Sequence, residues 1–466
     1  MPSRRQILKS AALGFGNVAL AGLLAEEQVR AAVRNPLARK LPHFAPRASR
    51  VIFLFLHGGV SHVDSFDPKP KLTEMNGKPL PIPKPKFEFG GTNNLLASPW
   101  KFRRYGESGI EVSDLFPEIG RSIDDICVIR SMSNGQQVSH GPAALALNTG
   151  DGTFMRPSTG SWVLYGLGTE NQNLPGFITL SPSTYHGGAQ NYGSAFLPAA
   201  FQGVRIGDGH SKFGKARFDN LTPAEPSTDL QRMQLDLLQK QNRAHLARAG
   251  ADSRLEARIE AFELTFRMQR EAPQVTDLSL ETKETRDLYG VDRGPTDEFG
   301  RQCLLARRFA EAGVRFIQVN HSYPRNYWDA HSGLKKNHET NAAKVDRPIA
   351  GLLKDLKRRG MLDDTLVVWG TEFGRTPAAQ GKNGRDHHPH AFSLWLAGGG
   401  IKGGITHGAT DEFGYYIAKD EVTIHDLHAT LLHQLGLDHN QLTYRYAGRD
   451  FQLTDVHGQV VSEIIA

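Results

Sequence analysis

The hydrophobic positions of the chain fall into short apolar runs separated by segments of helical periodicity. The runs at 51–56, 126–130, 176–181, 314–320, 365–372 and 391–398 are typical of strands buried on both faces. The segments between them, such as 295–313 and 338–362, carry apolar residues at helical spacing. Because strands alternate with helices, we expect an α/β fold with a doubly wound, largely parallel sheet.

One long segment departs from this alternation. Residues from about 226 to 290 are charged and helical in pattern, and the stretch 226–272 shows no strand signal, so we expect a helical insertion in a single domain that spans 50–466. The two cysteines, Cys127 and Cys303, are too few for a disulfide framework. Both are expected to be small buried residues, and a pairing between them stays open.

The N-terminus has the pattern of an export signal. Arg4 and Arg5 precede Leu8-Lys9 and a weakly apolar, Gly- and Ala-rich stretch, which indicates a twin-arginine signal over residues 1–32. A basic tether over 33–49 follows. We therefore expect delivery by the twin-arginine export machinery to the periplasm or cell surface, with a short amphipathic helix as the alternative. No later segment is apolar enough to predict a membrane span.

The basic balance of the chain belongs to this N-terminal region. The net charge is +6, but the first 50 residues carry nine basic and two acidic residues, which leaves the remainder close to −1. A surface that binds nucleic acid needs clustered positive charge on the folded domain. We therefore expect no nucleic-acid partner.

Polar residues gather where the predicted strands end. In an open α/β sheet, sites form at the carboxyl ends of the strands. The residues in these places are His57, Ser61, His62 and Asp64; Ser139 and His140; Asp329 and His331; Glu372 and Arg375. The segment DHHPH (386–390) instead precedes its strand. If it joins the same site, the strand at 391–398 must run antiparallel to its neighbours.

The types of these residues indicate a metal site. Imidazoles and carboxylates converging on one edge would need a cation to neutralise them, and mixed ligation of this kind suits zinc or manganese. We expect one or two divalent ions, with Asp329, His331, His387 and His388 among the ligands, although one of the two adjacent histidines could contact substrate instead. Arg375 offers a fork for anionic oxygens. Ser61, His62 and His390 are expected to contact substrate.

Several of these pieces resemble a family of exported bacterial proteins of uncharacterised function, described as sulfatase-like, in the alkaline phosphatase/arylsulfatase superfamily. The matching stretches include HGGVSHVDSFDPKP, SHGPAALALNTG, YWDAHSG, GTEFGRTP and GRDHHPHAFSLWLAGGG. The resemblance implies an alkaline phosphatase-like domain. It also implies metal ligands at Asp64 and Glu372, although His57 occupies the position where the superfamily usually has the first acidic residue.

The resemblance breaks at the nucleophile. Arylsulfatases have a Cys or Ser followed by Pro and Arg, whereas here His140 occupies the nucleophile position, Ser139 precedes it and Ala144 stands where the arginine would be. A formylglycine-type sulfatase is therefore not expected. Ser139, His140 and a metal-bound water remain alternatives for the attacking group, as does a site that no longer catalyses.

Two functions of different class follow from these observations. The first is a metal-dependent hydrolase of sulfate or phosphate esters, with an anionic ester or a sulfated glycan as substrate. The second is a non-catalytic binding protein on the same fold, for a glycan or a cell-envelope ligand. A serine hydrolase is disfavoured because the chain has no Gly-x-Ser-x-Gly turn.

Overall fold

The computed structural model describes residues 35–83, 90–215, 218, 228–249 and 253–466. The predicted signal segment, 1–32, lies outside these ranges, so export stays a prediction. Within the described ranges, no helix combines the length and apolarity that a bilayer span requires. Residues 35–49, the expected tether, lie along the domain, since the backbone N–H of Lys40 donates to the Leu167 carbonyl at 2.9 Å and that of Ala48 to the Gln434 carbonyl at 2.8 Å.

Nine of the described strands form one large sheet. The strands, in chain order, are Arg50–Leu56 (β1), Phe102–Tyr105 (β2), Ile110–Ser113 (β3), Ile126–Ser133 (β4), Phe177–Leu180 (β5), Val204–Ile206 (β6), Phe316–His321 (β7), Thr365–Gly370 (β8), Gly374–Gln380 (β9), Gly384–His388 (β10), Phe392–Ala397 (β11), Ile405–His407 (β12), Ala409–Thr410 (β13), Ile417–Lys419 (β14), Val422–Thr423 (β15), Tyr444–Tyr446 (β16) and Arg449–Phe451 (β17). The large sheet has the order β12-β4-β11-β8-β1-β7-β5-β6, with β15 also paired to β4.

The sheet is parallel except at one strand. β1 pairs in parallel with β7 and β8, and β5 pairs in parallel with β6 and β7. β11 pairs antiparallel with both β4 and β8. The predictions of an α/β fold with a largely parallel sheet, and of an antiparallel strand near 391–398, are therefore confirmed. This orientation brings the segment before β11 to the edge of the sheet where the parallel strands end.

Helices cover both faces of the sheet. The described helices are Pro70–Glu74 (α1), Pro117–Gly120 (α2), His140–Thr149 (α3), Thr159–Leu167 (α4), Thr228–Ala249 (α5), Ser253–Thr276 (α6), Lys283–Leu288 (α7), Asp297–Glu311 (α8), Leu334–Arg358 (α9) and Ile424–Gln434 (α10). α10 begins at a capping box, because the Thr423 hydroxyl accepts the Asp426 N–H and the Asp426 carboxylate accepts the Thr423 N–H. α5 and α6 occupy the range where the sequence predicts a helical insertion.

Alternate residues of the buried strands feed two separate apolar cores. Ile52 and Leu54 of β1 pack on the side of α8 and α9, whereas Val51 and Phe53 pack on the side of α3, α4 and α10. This alternation follows from the period of two along a strand and explains why the strands are apolar throughout. Cys303 lies in the first core and Cys127 in the second, and both are buried free thiols.

Candidate metal centre

Five segments bring histidines and acids together at the carboxyl edge of the sheet. The contributing residues are His57 after β1, His140 at the start of α3, Asp329 and His331 after β7, Glu372 after β8 and His387 in β10. β1, β7 and β8 are parallel neighbours, so the residues that follow them meet at one edge. His387 reaches the same edge because β11, which follows it, runs in the opposite direction.

Glu372 is fully buried at the centre of this edge. The backbone N–H of Gly58 donates to Oε1 at 2.9 Å and to Oε2 at 3.1 Å, and Nδ1 of His140 donates to Oε1 at 2.6 Å. Burial alone would raise the pKa of the Glu372 carboxyl, but the charge that His57 carries at acid pH and the hydrogen bond from His140 outweigh it and lower the pKa to about 2. Glu372 is therefore an ionised carboxylate held in a fixed orientation.

The contact between the Gly58 backbone and Glu372 requires glycine at position 58. Its φ is +121°, and a Cβ atom there would lie 2.4 Å from the backbone nitrogen of Trp328. Only glycine tolerates both the conformation and the close approach of the segment after β7. Gly58 therefore lets the segments after β1 and β7 meet beside Glu372.

Asp329 is the second centre of the cluster. Its carboxylate oxygens lie 2.7 Å from Nη2 of Arg375, 3.0 Å from Nε2 of His331, 3.4 Å from Nε2 of His387 and 3.5 Å from Nε2 of His140. Burial opposes ionisation of Asp329, but the hydrogen bonds from the three histidines and the Arg375 charge hold its pKa well below the ordinary value. Three imidazole nitrogens thus surround one carboxylate.

The same three histidines use their other nitrogen for hydrogen bonds that point away from Asp329. Nδ1 of His140 donates to Glu372, Nδ1 of His387 donates to the Val138 carbonyl at 2.6 Å, and Nδ1 of His331 faces the side-chain oxygen of Gln380. A histidine protonated on both nitrogens donates from Nε2 to Asp329, whereas one with its single proton on Nδ1 directs the lone pair of Nε2 at the carboxylate. Metal-binding histidines show this arrangement, in which the second nitrogen donates to a carboxylate or carbonyl.

Within the part of the chain that the structure describes, donor atoms close enough to share an ion form three groups. Within each group they lie within 4.8 Å of one another, and the groups are His57–His140–Glu372, His140–Asp329–His387 and His331–Asp386–His387. Burial lowers the pKa of His57 and of His387 to about 4, so both are neutral and able to ligate near pH 7. Shared members join the groups into one row of donors. The donor set therefore fits a divalent metal ion.

The structure places Asp64 outside this row of donors. Its carboxylate is fully buried against Arg385, with Nε at 2.7 Å and Nη2 at 3.2 Å, and it accepts the Ser61 hydroxyl at 2.6 Å. A short 3-10 turn, His62–Asp64, carries it away from the edge of the sheet. After β1, the side chain that reaches Glu372 is that of His57, with Nε2 3.8 Å from Oε1. The Ser61 hydroxyl donates to Asp64 and is therefore part of the Asp64–Arg385 ion pair rather than of the donor groups.

His62, His388 and His390 also lie apart from the donor groups. Nε2 of His388 donates to the Tyr415 carbonyl at 2.7 Å, and Nε2 of His62 donates to the Gly414 carbonyl at 2.8 Å. The His62 and His388 rings stack with centroids 5.9 Å apart, and the ring centroids of His388 and His390 are 5.6 Å apart. Consecutive residues of a strand point to opposite faces, so only one of His387 and His388 can face Asp329. The structure gives that position to His387.

The structure places the three predicted catalytic residues, Ser139, His140 and Arg375, in different positions. His140 lies between Glu372 and Asp329, whereas Ser139 is the half-buried N-cap residue of α3. Arg375 is fully buried and donates from Nε to the Gly59 carbonyl at 3.0 Å and from Nη1 to the Arg385 carbonyl at 3.3 Å. Its guanidinium therefore holds Asp329 and the backbone around it, which places it behind the ligands rather than against a substrate.

Sequence reasoning missed three residues of the site. His186, in the loop after β5, has Nδ1 3.0 Å from Nε2 of His57. The Tyr327 ring lies 5.0 Å from the His140 ring. Asp386 belongs to the third donor group. The strand-end rule applied to the run at 176–181 would have found His186, but nothing in the sequence marks Tyr327 or distinguishes Asp386 from its neighbours.

The fold and the site together define an α/β protein with a buried histidine–carboxylate centre. The chain belongs to the family described as "Protein of unknown function (DUF1501)", whose model matches residues 48–465. No curated protein matches the chain.

Several solved structures are similar to parts of this chain. The lipoteichoic acid synthase LtaP from Listeria monocytogenes is 9% identical with a TM-score of 0.37, over 90% of this chain and 78% of that one. A sulfatase from Pseudoalteromonas sp. is 12% identical with a TM-score of 0.34, over 84% and 68% of the two chains. The alkaline phosphatase from the Antarctic bacterium TAB5 is 12% identical with a TM-score of 0.29, over 78% and 95%.

Proposed function

We propose that this protein is an exported, metal-dependent hydrolase of sulfate or phosphate esters. The observation that carries the proposal is the orientation of His140, His331 and His387, whose Nε2 atoms all face the Asp329 carboxylate while their Nδ1 atoms face oxygens elsewhere. When each histidine carries its proton on Nδ1, three lone pairs and a carboxylate face one another in a buried site, which is unfavourable without a cation. A divalent ion among these atoms removes that cost.

The residues that would hold metal follow from the donor groups. His140, Asp329 and His387 would form one ligand set, extended by His331. His57 and Glu372 would form a second set that shares His140. A bound divalent ion supplies Lewis-acid polarisation of the ester oxygens and lowers the pKa of water, which is the chemistry that ester hydrolysis needs.

Around these ligands, other residues orient the ligand side chains and balance their charge. The Gly58 N–H fixes Glu372, which in turn holds Nδ1 of His140 and so presents Nε2 to the centre. Arg375 places one fixed positive charge behind Asp329. The donor groups contain three acids, Asp329, Glu372 and Asp386, and an accumulation of carboxylates of this kind favours bound cations.

The exported location rests on the N-terminal twin-arginine pattern. The substrate class rests on the motifs shared with the sulfatase-like family, and an anionic ester, including an ester on a sulfated glycan, suits a cationic centre. A non-catalytic binding protein is the second candidate, because His140 stands at the nucleophile position and Arg375 is occupied by backbone carbonyls.

Hydrolysis of 4-nitrophenyl phosphate and 4-nitrophenyl sulfate tests the proposal. We expect zinc- or manganese-loaded protein to hydrolyse at least one of them, to lose activity on chelation and to regain it when metal returns. His387→Ala should lower kcat/KM at least about a hundredfold, since it removes a direct ligand. The matched control is His433→Ala, a half-buried histidine of α10 whose ring contacts Phe44. Metal-loaded protein that turns over neither ester would favour the binding protein.

A further inference from the structure

A row of aromatic rings leads from the metal centre to the protein surface. The Tyr327 ring lies 5.0 Å from the His140 ring and 5.2 Å from the His57 ring. The Tyr323 ring lies 4.9 Å from Tyr327, and the Tyr185 ring lies 5.1 Å from Tyr323. Tyr185, at the outer end, is 50% exposed. The three tyrosines therefore form a continuous wall, here called the tyrosine wall.

The topology of the sheet explains where the tyrosine wall runs. Tyr323 and Tyr327 follow β7, and Tyr185 follows β5, the next strand toward the β6 edge of the sheet. The loop after β6 supports the wall at Gly209, where a Cβ atom would lie 2.3 Å from the Tyr323 carbonyl oxygen. Three neighbouring strand ends thus build one surface beside the metal centre, and a molecule bound at the metals would extend along it.

The wall carries polar groups between its rings. His186 stacks on Tyr327 with centroids 5.8 Å apart and an interplanar angle of 12°. His210 lies 5.6 Å from Tyr185, and its Nε2 is 2.7 Å from the Thr184 hydroxyl. Each tyrosine adds a phenol hydroxyl, which can donate and accept. A ligand here would meet aromatic rings and hydrogen-bonding groups at the same time.

The angles between the rings favour one kind of ligand. Tyr185 and Tyr323 meet at 89°, and Tyr323 and Tyr327 meet at 66°. The planes of successive tyrosine rings are therefore far from parallel. Because of this, the three rings do not form a parallel slot that would sandwich a flat base or aryl group. A wall with a half-exposed outer end and with hydroxyl and imidazole groups also differs from the enclosed apolar pocket that takes hydrophobic ligands. A sugar ring has an apolar C–H face and a rim of hydroxyls, and it matches this surface.

We propose that the tyrosine wall is a carbohydrate subsite, which binds a sugar ring of the chain that carries the ester. This inference rests on the proposed function for the ester itself, but binding of the sugar requires only the wall. Tyr185 stacks on the outer sugar ring, and Tyr323 and Tyr327 continue the contact toward the metals. The substrate is therefore an ester on an oligosaccharide rather than on a small alcohol.

Binding of saccharides to Tyr185 variants tests the subsite. The probes are immobilised sulfated and neutral oligosaccharides, with adenosine monophosphate and 2-naphthyl phosphate as the flat aromatic comparison. Tyr185→Ala should weaken saccharide binding about five- to tenfold, the size of one aromatic contact, while Tyr185→Phe should stay within about twofold. Tyr446→Ala is the matched control, because Tyr446 is 49% exposed and lies on the β16–β17 hairpin.

The kinetic readout separates this subsite from the proposed hydrolysis. For a saccharide ester, Tyr185→Ala should raise KM and leave kcat unchanged, and for 4-nitrophenyl esters it should change neither. Saccharide binding that depends on Tyr185, in a protein that hydrolyses nothing, would support the subsite and refute the hydrolase. Absence of saccharide binding, equal losses in Tyr185→Ala and Tyr446→Ala, or preference for the flat aromatic probes would overturn the subsite.

Discussion

Replacing Asp329 with asparagine is expected to abolish metal binding and to destabilise the fold. The substitution keeps the shape of the side chain but removes the charge that faces three histidines and Arg375. Arg375 is fully buried, and a buried guanidinium that loses its carboxylate partner costs about 3–5 kcal/mol. Denaturant unfolding and elemental analysis of the purified variant measure the two effects separately.

The control for this variant is Asp363→Asn, which changes an exposed aspartate before β8. It should alter the free energy of unfolding by less than about 0.5 kcal/mol and leave the metal content unchanged. If Asp329→Asn kept its full metal content, Asp329 would not be a ligand, and the proposed ligand set around it would be wrong.

Replacing Arg385 with methionine is expected to destabilise the protein strongly without removing metal. Arg385 and Asp64 are both fully buried, and Arg385 holds Asp64 through two hydrogen bonds. The variant would leave a buried carboxylate that keeps only the Ser61 hydroxyl, at a cost of about 3–5 kcal/mol. The double variant Asp64→Asn/Arg385→Met should recover part of that loss, because no unpaired charge remains.

The same ion pair has a defined pH dependence. Burial alone would raise the pKa of the Asp64 carboxyl, but the charge and hydrogen bonds of Arg385 hold it below the ordinary value. Because the folded-state pKa is depressed, the stabilisation is complete above the unfolded pKa of about 4. It is lost as the pH falls from there through the folded-state pKa. Asp64→Asn should flatten this acid limb and keep the full metal content, whereas loss of metal from it would return Asp64 to the ligand set.

Strand pattern and strand ends were enough to predict most of the fold around the site. The continuous apolar runs predicted the buried strands, and the position of DHHPH before its run predicted that β11 is antiparallel. Within that segment the sequence could not choose between His387 and His388. That choice depends on the register of β10 against β9, which shifts between Arg385 and His387. The residue types in β9 and β10 do not indicate where such a register shift occurs.

The residue after β1 illustrates a second limit. Asp64 has the expected chemistry for a ligand, but the backbone after Gly58 and Gly59 enters a 3-10 turn that directs it toward Arg385, more than three hundred residues away in sequence. His57 reaches the centre because it directly follows the strand. Long-range partners such as Arg385 decide these roles, and a single sequence does not reveal which distant residues meet.

The decisive measurement is elemental analysis of protein purified without chelators, comparing wild type with Glu372→Ala. Glu372 is the buried carboxylate that orients His140 and completes the first donor group. We expect one or two equivalents of a transition metal in the wild type and a clear loss in the variant. Wild-type protein that holds no stoichiometric metal, even after reloading with zinc or manganese, would contradict the metal centre and with it the proposed hydrolase.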